Sequence, residues 1–113
     1  MEKECIFCKI IRGEVSSEKV LENEDLIVIK DINPKADVHL LIIPKKHIPS
    51  LREFKPEEAD ILGKMLLISK ELAKNFDQAK DGYKIAINVG RGGGQVIDHF
   101  HIHFLAGNLT GLP

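Results

Sequence analysis

His99-Phe100-His101-Ile102-His103-Phe104-Leu105 alternates imidazoles with bulky apolar side chains, residue by residue. Side chains of a strand point to opposite faces in turn. The three imidazoles therefore share one face, and Phe100, Ile102 and Phe104 enter a core on the other. A solvent-facing strand that happens to be rich in histidine would not need so strict an alternation. Imidazole alone has an unperturbed pKa near 6.5, so clustered rings let one remain a neutral nucleophile while a neighbour carries a proton. Phosphoryl or nucleotidyl transfer is a natural use of that pair. Just upstream, Gly92-Gly93-Gly94-Gln95 offers backbone N–H groups with no Cβ in the way of an anionic oxygen.

Working outward, this strand is predicted to run from Ile97 to Leu105, after an irregular loop at Gly90-Arg91-Gly92-Gly93-Gly94 and another strand from Tyr83 to Asn88. Lys19 to Asn23 and Leu26 to Lys30 are apolar runs around a polar Asn23-Glu24-Asp25, the pattern of a hairpin. Asp31-Ile32-Asn33-Pro34-Lys35 reads as a turn, and Val38 to Ile43 as a central strand ended by Pro44. Two helices are predicted. A short one spans Cys5 to Arg12 with Gly13 as its stop. A long one opens near Pro56, with Glu57, Glu58 and Asp60 at its positive end, and presents Ile61, Met65, Ile68, Leu72 and Phe76, supplemented by Leu62 and Leu66. Two helices and five strands that do not alternate predict an α+β fold around an antiparallel sheet.

The 113 residues suit one domain spanning 1–113. Sixteen Lys and Arg against 17 Asp and Glu leave a net charge of -1, which disfavours a polycationic surface for long nucleic acid and leaves small ligands open. No run approaches the roughly 18 apolar residues of a membrane span, and Met1-Glu2-Lys3-Glu4 lacks the basic-then-apolar order of a secretory signal. A cytoplasmic protein is the expectation. The two cysteines, Cys5 and Cys8, have the spacing of half a zinc site. The competing reading is a pair of buried free thiols; a redox pair is less attractive without a thioredoxin-like βαβ context.

His99 to Leu105 also resembles the His-φ-His-φ-His-φ-φ signature of the histidine triad (HIT) family, φ being apolar. Ile10-Ile11-Arg12-Gly13-Glu14, Asp31-Ile32-Asn33-Pro34, Val38-His39, Ile43-Pro44-Lys45-Lys46-His47-Ile48 and Gly93-Gly94-Gln95 extend the resemblance over nearly the whole chain. Their order and the chain length are most similar to the Hint-like nucleoside phosphoramidases, of the bacterial or archaeal type with an N-terminal CxxC, and less to the longer dinucleoside polyphosphate hydrolases. The resemblance implies a meander of five antiparallel strands, extended across a homodimer.

It further implies that His101 attacks the α-phosphorus of an adenosine or guanosine 5′-phosphoramidate. A covalent nucleotidyl-histidine would form, from which water releases AMP or GMP. His103 would contact phosphoryl oxygens or the leaving group, and His39 would orient the triad. Asp31 would bind the ribose hydroxyls, two acceptor oxygens suiting two donors. Ile6, Phe7, Ile10 and Ile32 would line the base pocket, while Asn88, Gly94 and Gln95 would serve the phosphate. Cys5, Cys8, His47 and His99 would complete a structural zinc site, one per chain. One departure is Val96, where many members have Ser or Thr; no hydroxyl can reach the phosphate from there. Asp98 also departs, and alternation puts it on the face opposite the histidines. The alternatives are dinucleoside polyphosphate hydrolysis, a purine nucleotide-binding protein with little catalysis, and a zinc-dependent interaction module.

Overall fold

The computed structural model describes residues 4–109. Helix α1 (Ile6–Ile11) is followed by strands β1 (Lys19–Glu22), β2 (Leu26–Lys30) and β3 (Val38–Pro44), helix α2 (Ala59–Ala73), and strands β4 (Lys84–Ala86) and β5 (Ile102–Ala106). All five strands pair antiparallel in the order β1-β2-β3-β5-β4. The α+β expectation holds, with the hairpin, the central strand and both helices where periodicity placed them.

Burial explains the two long apolar runs. Leu26, Val28, Leu40, Ile42, Phe100, Ile102 and Phe104 pack against Met65 and Leu72 of α2 on one face of the sheet. Ile27, Ile29, Leu41 and Ile43 meet Phe7 and Ile10 of α1 on the other. Strands covered on both faces lose the polar alternation of a half-exposed sheet, so β2 and β3 read as continuous apolar sequence. Glu58 starts α2: its Oε1 accepts the Lys55 N–H at 2.8 Å and its Oε2 meets Lys46 Nζ at 2.6 Å. Ile61, Leu62, Ile68 and Phe76 pack on the core, Phe76 from beyond the helix end. Leu66 instead lies largely exposed, and so does Leu67, at 63%.

Two strands are shorter than predicted. β5 begins at Ile102 and not Ile97, because the ladder with β3 ends at Ile42↔Ile102. Beyond it stands Pro44, which has no N–H to offer, and the Phe100 N–H turns to the Ile48 carbonyl at 2.7 Å. His99 and His101 therefore precede the strand that carries His103. β4 is paired only over Lys84–Ala86. Tyr83 stacks on Phe104 just before it, and Asn88 turns away to donate Nδ2–H to the Gly93 carbonyl.

Candidate active site

The register Leu41↔His103 and His39↔Leu105 sets His39 and His103 diagonally across β3 and β5, on the α1 face of the sheet. His39 is buried, and its Nδ1 accepts the Lys35 N–H at 3.0 Å. A neutral His39 therefore carries its proton on Nε2, and donates it to His103 Nδ1 at 2.9 Å. Asp31 Oδ2 stands 3.4 Å from the same Nε2. With Nδ1 accepting, a neutral His103 keeps its proton on Nε2. His101 has the opposite arrangement: its Nδ1–H donates to the His99 carbonyl at 2.8 Å, which leaves the Nε2 lone pair free. The His101 and His103 rings meet edge to face, centroids 5.1 Å apart. A lone pair thus lies beside an N–H donor.

Burial holds this pattern. Desolvation pushes His101 and His39 below the ordinary imidazole value. It pushes His103 down to about 4, aided by the neighbouring charges of His101 and His39. The sequence suggested a neutral ring beside a protonated one. Pushed down in this way the rings favour the neutral form, and the donor beside the lone pair comes from a tautomer and not from a charge.

These rings open into a cavity of about 460 Å³. His39, His101, His103 and Asp31 form its polar side, and Ile6, Phe7, Ile10 and Ile32 its apolar wall. Asp31 Oδ1 accepts the Asn33 N–H at 2.8 Å, a turn that aims the carboxylate inward. Val96 lines the cavity at 77% exposure. Sequence reasoning missed Ser16, Ser17 and Lys35, which reach the cavity from loops that have no periodicity to reveal them.

Asn88, Gly94 and Gln95 do not line it. The Gln95 amide is committed to backbone: Oε1 accepts the Gly90 N–H at 3.0 Å, and Nε2 donates to Pro49 at 2.7 Å and Ile97 at 2.9 Å. Gly94 takes φ +90°, and a Cβ there would sit 3.4 Å from Asn88 Nδ2. These residues shape the loop that delivers His99. Asp98 is exposed rather than core-facing, because the chain has not yet entered β5; it pairs with Arg91 at 3.0 Å, and Arg91 also donates to the Gln95 carbonyl.

A second grouping lies behind the first. Cys5 Sγ and Cys8 Sγ stand 3.3 and 3.6 Å from His99 Nδ1. His47 Nδ1 is 3.2 Å from Cys8 Sγ and 3.1 Å from His99 Nδ1. His99 Nε2–H donates to the Pro44 carbonyl at 2.8 Å, so its Nδ1 faces the group as a lone pair. A tetrahedral Cys₂His₂ shell with bonds of about 2.0–2.3 Å has edges of roughly 3.3–3.8 Å. The four side chains fit a metal of that kind, closed and with no open position. Asp31, His39 and His103 are also close together. They do not fit a metal, since the Lys35 N–H forces the His39 proton onto the very nitrogen that would have to ligate.

The family described as scavenger mRNA decapping enzyme, C-term binding, matches residues 4–112. Protein HitA of Neisseria gonorrhoeae is 48% identical over 101 residues, 89% of this chain and 94% of that protein. The purine nucleoside phosphoramidase of Escherichia coli is 38% identical over 111 residues, 98% of this chain and 93% of that enzyme. The chain belongs to the histidine triad family. This HIT protein superposes on a HIT family hydrolase from Clostridium thermocellum with a TM-score of 0.92 at 40% identity, covering 98% of this chain and 96% of that one. A zinc-bound histidine triad family protein from Mycobacterium smegmatis gives 0.82 at 30% identity, covering 96% and 78%. In this HIT protein the structure brings together eight of the expected nucleotide-site residues, Ile6, Phe7, Ile10, Asp31, Ile32, His39, His101 and His103. It assembles Cys5, Cys8, His47 and His99 separately.

Proposed function

We propose that the protein hydrolyses purine nucleoside 5′-phosphoramidates, with His101 as nucleophile. The base packs between Ile32 and the α1 side chains Ile6, Phe7 and Ile10, the ribose hydroxyls donate to Asp31, and the α-phosphate meets His101 and His103. His101 Nε2 forms a bond to phosphorus as the phosphorus–nitrogen bond breaks, and the amine leaves with a proton taken from solvent water. His103 Nε2–H binds the phosphoryl oxygens, where a fixed donor is most effective against developing charge. Water then cleaves the nucleotidyl-histidine, releasing the nucleoside monophosphate and the free ring.

The observation that carries this reading is the 2.8 Å bond from His101 Nδ1–H to the His99 carbonyl, which turns the other nitrogen toward a cavity holding Asp31. Likeness to the E. coli purine nucleoside phosphoramidase supports the substrate class. A fluorogenic adenosine phosphoramidate tests it: His101→Ala is expected to lose about 10³-fold or more in turnover, and equal rates would end the nucleophile assignment. The exposed Val96 in the cavity favours a second reading, a purine nucleotide-binding protein with little catalysis. Tight AMP binding with a slow wild type would support it.

We also propose zinc for the Cys5, Cys8, His47 and His99 site, to be checked by elemental analysis of protein purified without added metal. β4 is an outer strand of the sheet, the edge through which we propose that two copies pair as a homodimer, to be checked by sedimentation. Cysteines kept as thiols beside His47 and His99 suit a reducing compartment, so we assign the cytoplasm.

A further inference from the structure

His99 belongs to both groupings at once. Its Nδ1 faces the cysteine sulfurs, its Nε2–H is fastened to Pro44, and its carbonyl fixes the tautomer of His101. Helix α1 is the second link. Cys5 and Cys8 hold its first turn against His47 and His99, and between them Phe7 touches two rings edge to face: His99 at 5.7 Å and His101 at 5.1 Å. Ile6, Phe7 and Ile10 are also one wall of the cavity. At six residues α1 is far too short to be stable by itself, so its placement depends on what anchors it.

Without a metal, the anchor changes character. His99 Nδ1 is a lone pair, and His47 Nδ1 approaches it at 3.1 Å. A cation at the centre of the group is what draws two nitrogens and two sulfurs to such distances. With the cation gone, nothing demands that all four side chains converge.

We propose that the Cys5, Cys8, His47 and His99 site is a positioning device for the reaction centre. With metal bound, the His99 carbonyl and the Phe7 ring are held so that His101 keeps its proton on Nδ1, and α1 closes the nucleotide cavity. Metal loss releases both. His99 and Phe7 are then positioning residues, acting on phosphorus only through His101. This rests on His101 being the nucleophile and extends it to a coupling between two sites.

The test compares zinc-loaded protein with the same protein stripped by chelator, its fold checked by circular dichroism. Imidazole ¹H–¹⁵N correlation spectra report the His101 tautomer, and calorimetry with AMP reports the cavity; neither needs turnover. Zinc-loaded protein is expected to show one His101 tautomer, protonated on Nδ1. Stripped protein is expected to show exchange between tautomers, AMP affinity about 10-fold weaker and kcat about 100-fold lower, the scale of an ångström-sized misplacement, and added zinc reverses all three. His47→Ala should lose zinc and the single tautomer together, and His47→Cys, which restores four ligands, should recover both. A stripped, folded protein with unchanged His101 signals and AMP affinity would overturn the coupling. If the stripped protein unfolds, zinc-loaded Phe7→Leu decides: an unaltered His101 spectrum and AMP affinity there would overturn it equally. Full-rate hydrolysis by His101→Ala would refute the nucleophile instead, while the spectra and calorimetry still judge the coupling.

Discussion

Replacing His39 by Leu removes one ring and leaves two groups without partners. The Lys35 N–H loses its acceptor at 3.0 Å and His103 Nδ1 loses its donor at 2.9 Å. His103 borders the cavity and can recruit water there, so the stability cost falls mainly on the Lys35 amide. A polar group deprived of its partner costs about 1–3 kcal/mol, which lowers the melting temperature by roughly 5–15 °C in a domain of this size. The catalytic cost is separate. Freed from His39, His103 takes either tautomer, and the one protonated on Nδ1 turns a lone pair toward the phosphoryl oxygens. Complete loss of one such donor costs about 10²–10³-fold in kcat, and since only the molecules in the wrong tautomer lose it, kcat should fall roughly 2- to 10-fold. Asp31 loses its 3.4 Å neighbour but keeps the Oδ1 turn to Asn33, and the apolar wall is untouched, so KM should move little. Steady-state kinetics on an adenosine phosphoramidate, with a melting curve on the same sample, separate the two effects. A folded H39L variant turning over at the wild-type rate would refute the tautomer argument.

Burial holds His103 near 4, and His39 and His101 below their ordinary value, so kcat/KM should stay flat from neutral pH through about 6.5 and decline only below it; a half-maximal point at or above 6.5 would contradict this. The unfolded rings titrate near 6.5, so the unfolded chain binds more protons in the window from about 6.5 toward 4, and the urea midpoint should fall as the pH is lowered through it. Asp31→Asn keeps the Oδ1 turn to Asn33 but loses the charge that accepts the ribose. KM should rise roughly 10-fold or more, a hydrogen bond to a charge being worth about 1.5–3 kcal/mol, whereas a 2′,3′-dideoxy substrate should be indifferent. Val96→Ser returns a hydroxyl to the cavity and should raise turnover about 5-fold, one ordinary hydrogen bond; an unchanged rate would show that this position does not face the phosphate.

Much of this site was legible because its chemistry follows from alternation. Phe100, Ile102 and Phe104 do enter the α2-side core, and His103 does emerge on the α1 face with His39. The limits of β5 were not legible, since they depend on Pro44 and on the Phe100 N–H finding Ile48, a pairing across half the chain. Nor was the protonation pattern. It is decided by the backbone N–H of Lys35 and the backbone carbonyl of His99, groups that every residue has and no motif marks. The roles of Gln95 and Asp98 were hidden for the same reason: Asp98 is spent within the loop from Gly90 to Asp98 and Gln95 ties that loop to the Pro49 carbonyl, a shape no periodicity describes. Cys5 and Cys8 signalled half a metal site, and His47 and His99 joined them only on the resemblance; the fold then brings all four within 4.8 Å of one another.

The most direct measurement is mass spectrometry of a rapidly quenched reaction with an adenosine phosphoramidate, followed by peptide mapping. The expected result is an adenylyl group on the peptide bearing His101, localised to that imidazole and absent from H101A. Hydrolysis at full speed with an unmodified His101 would contradict the account.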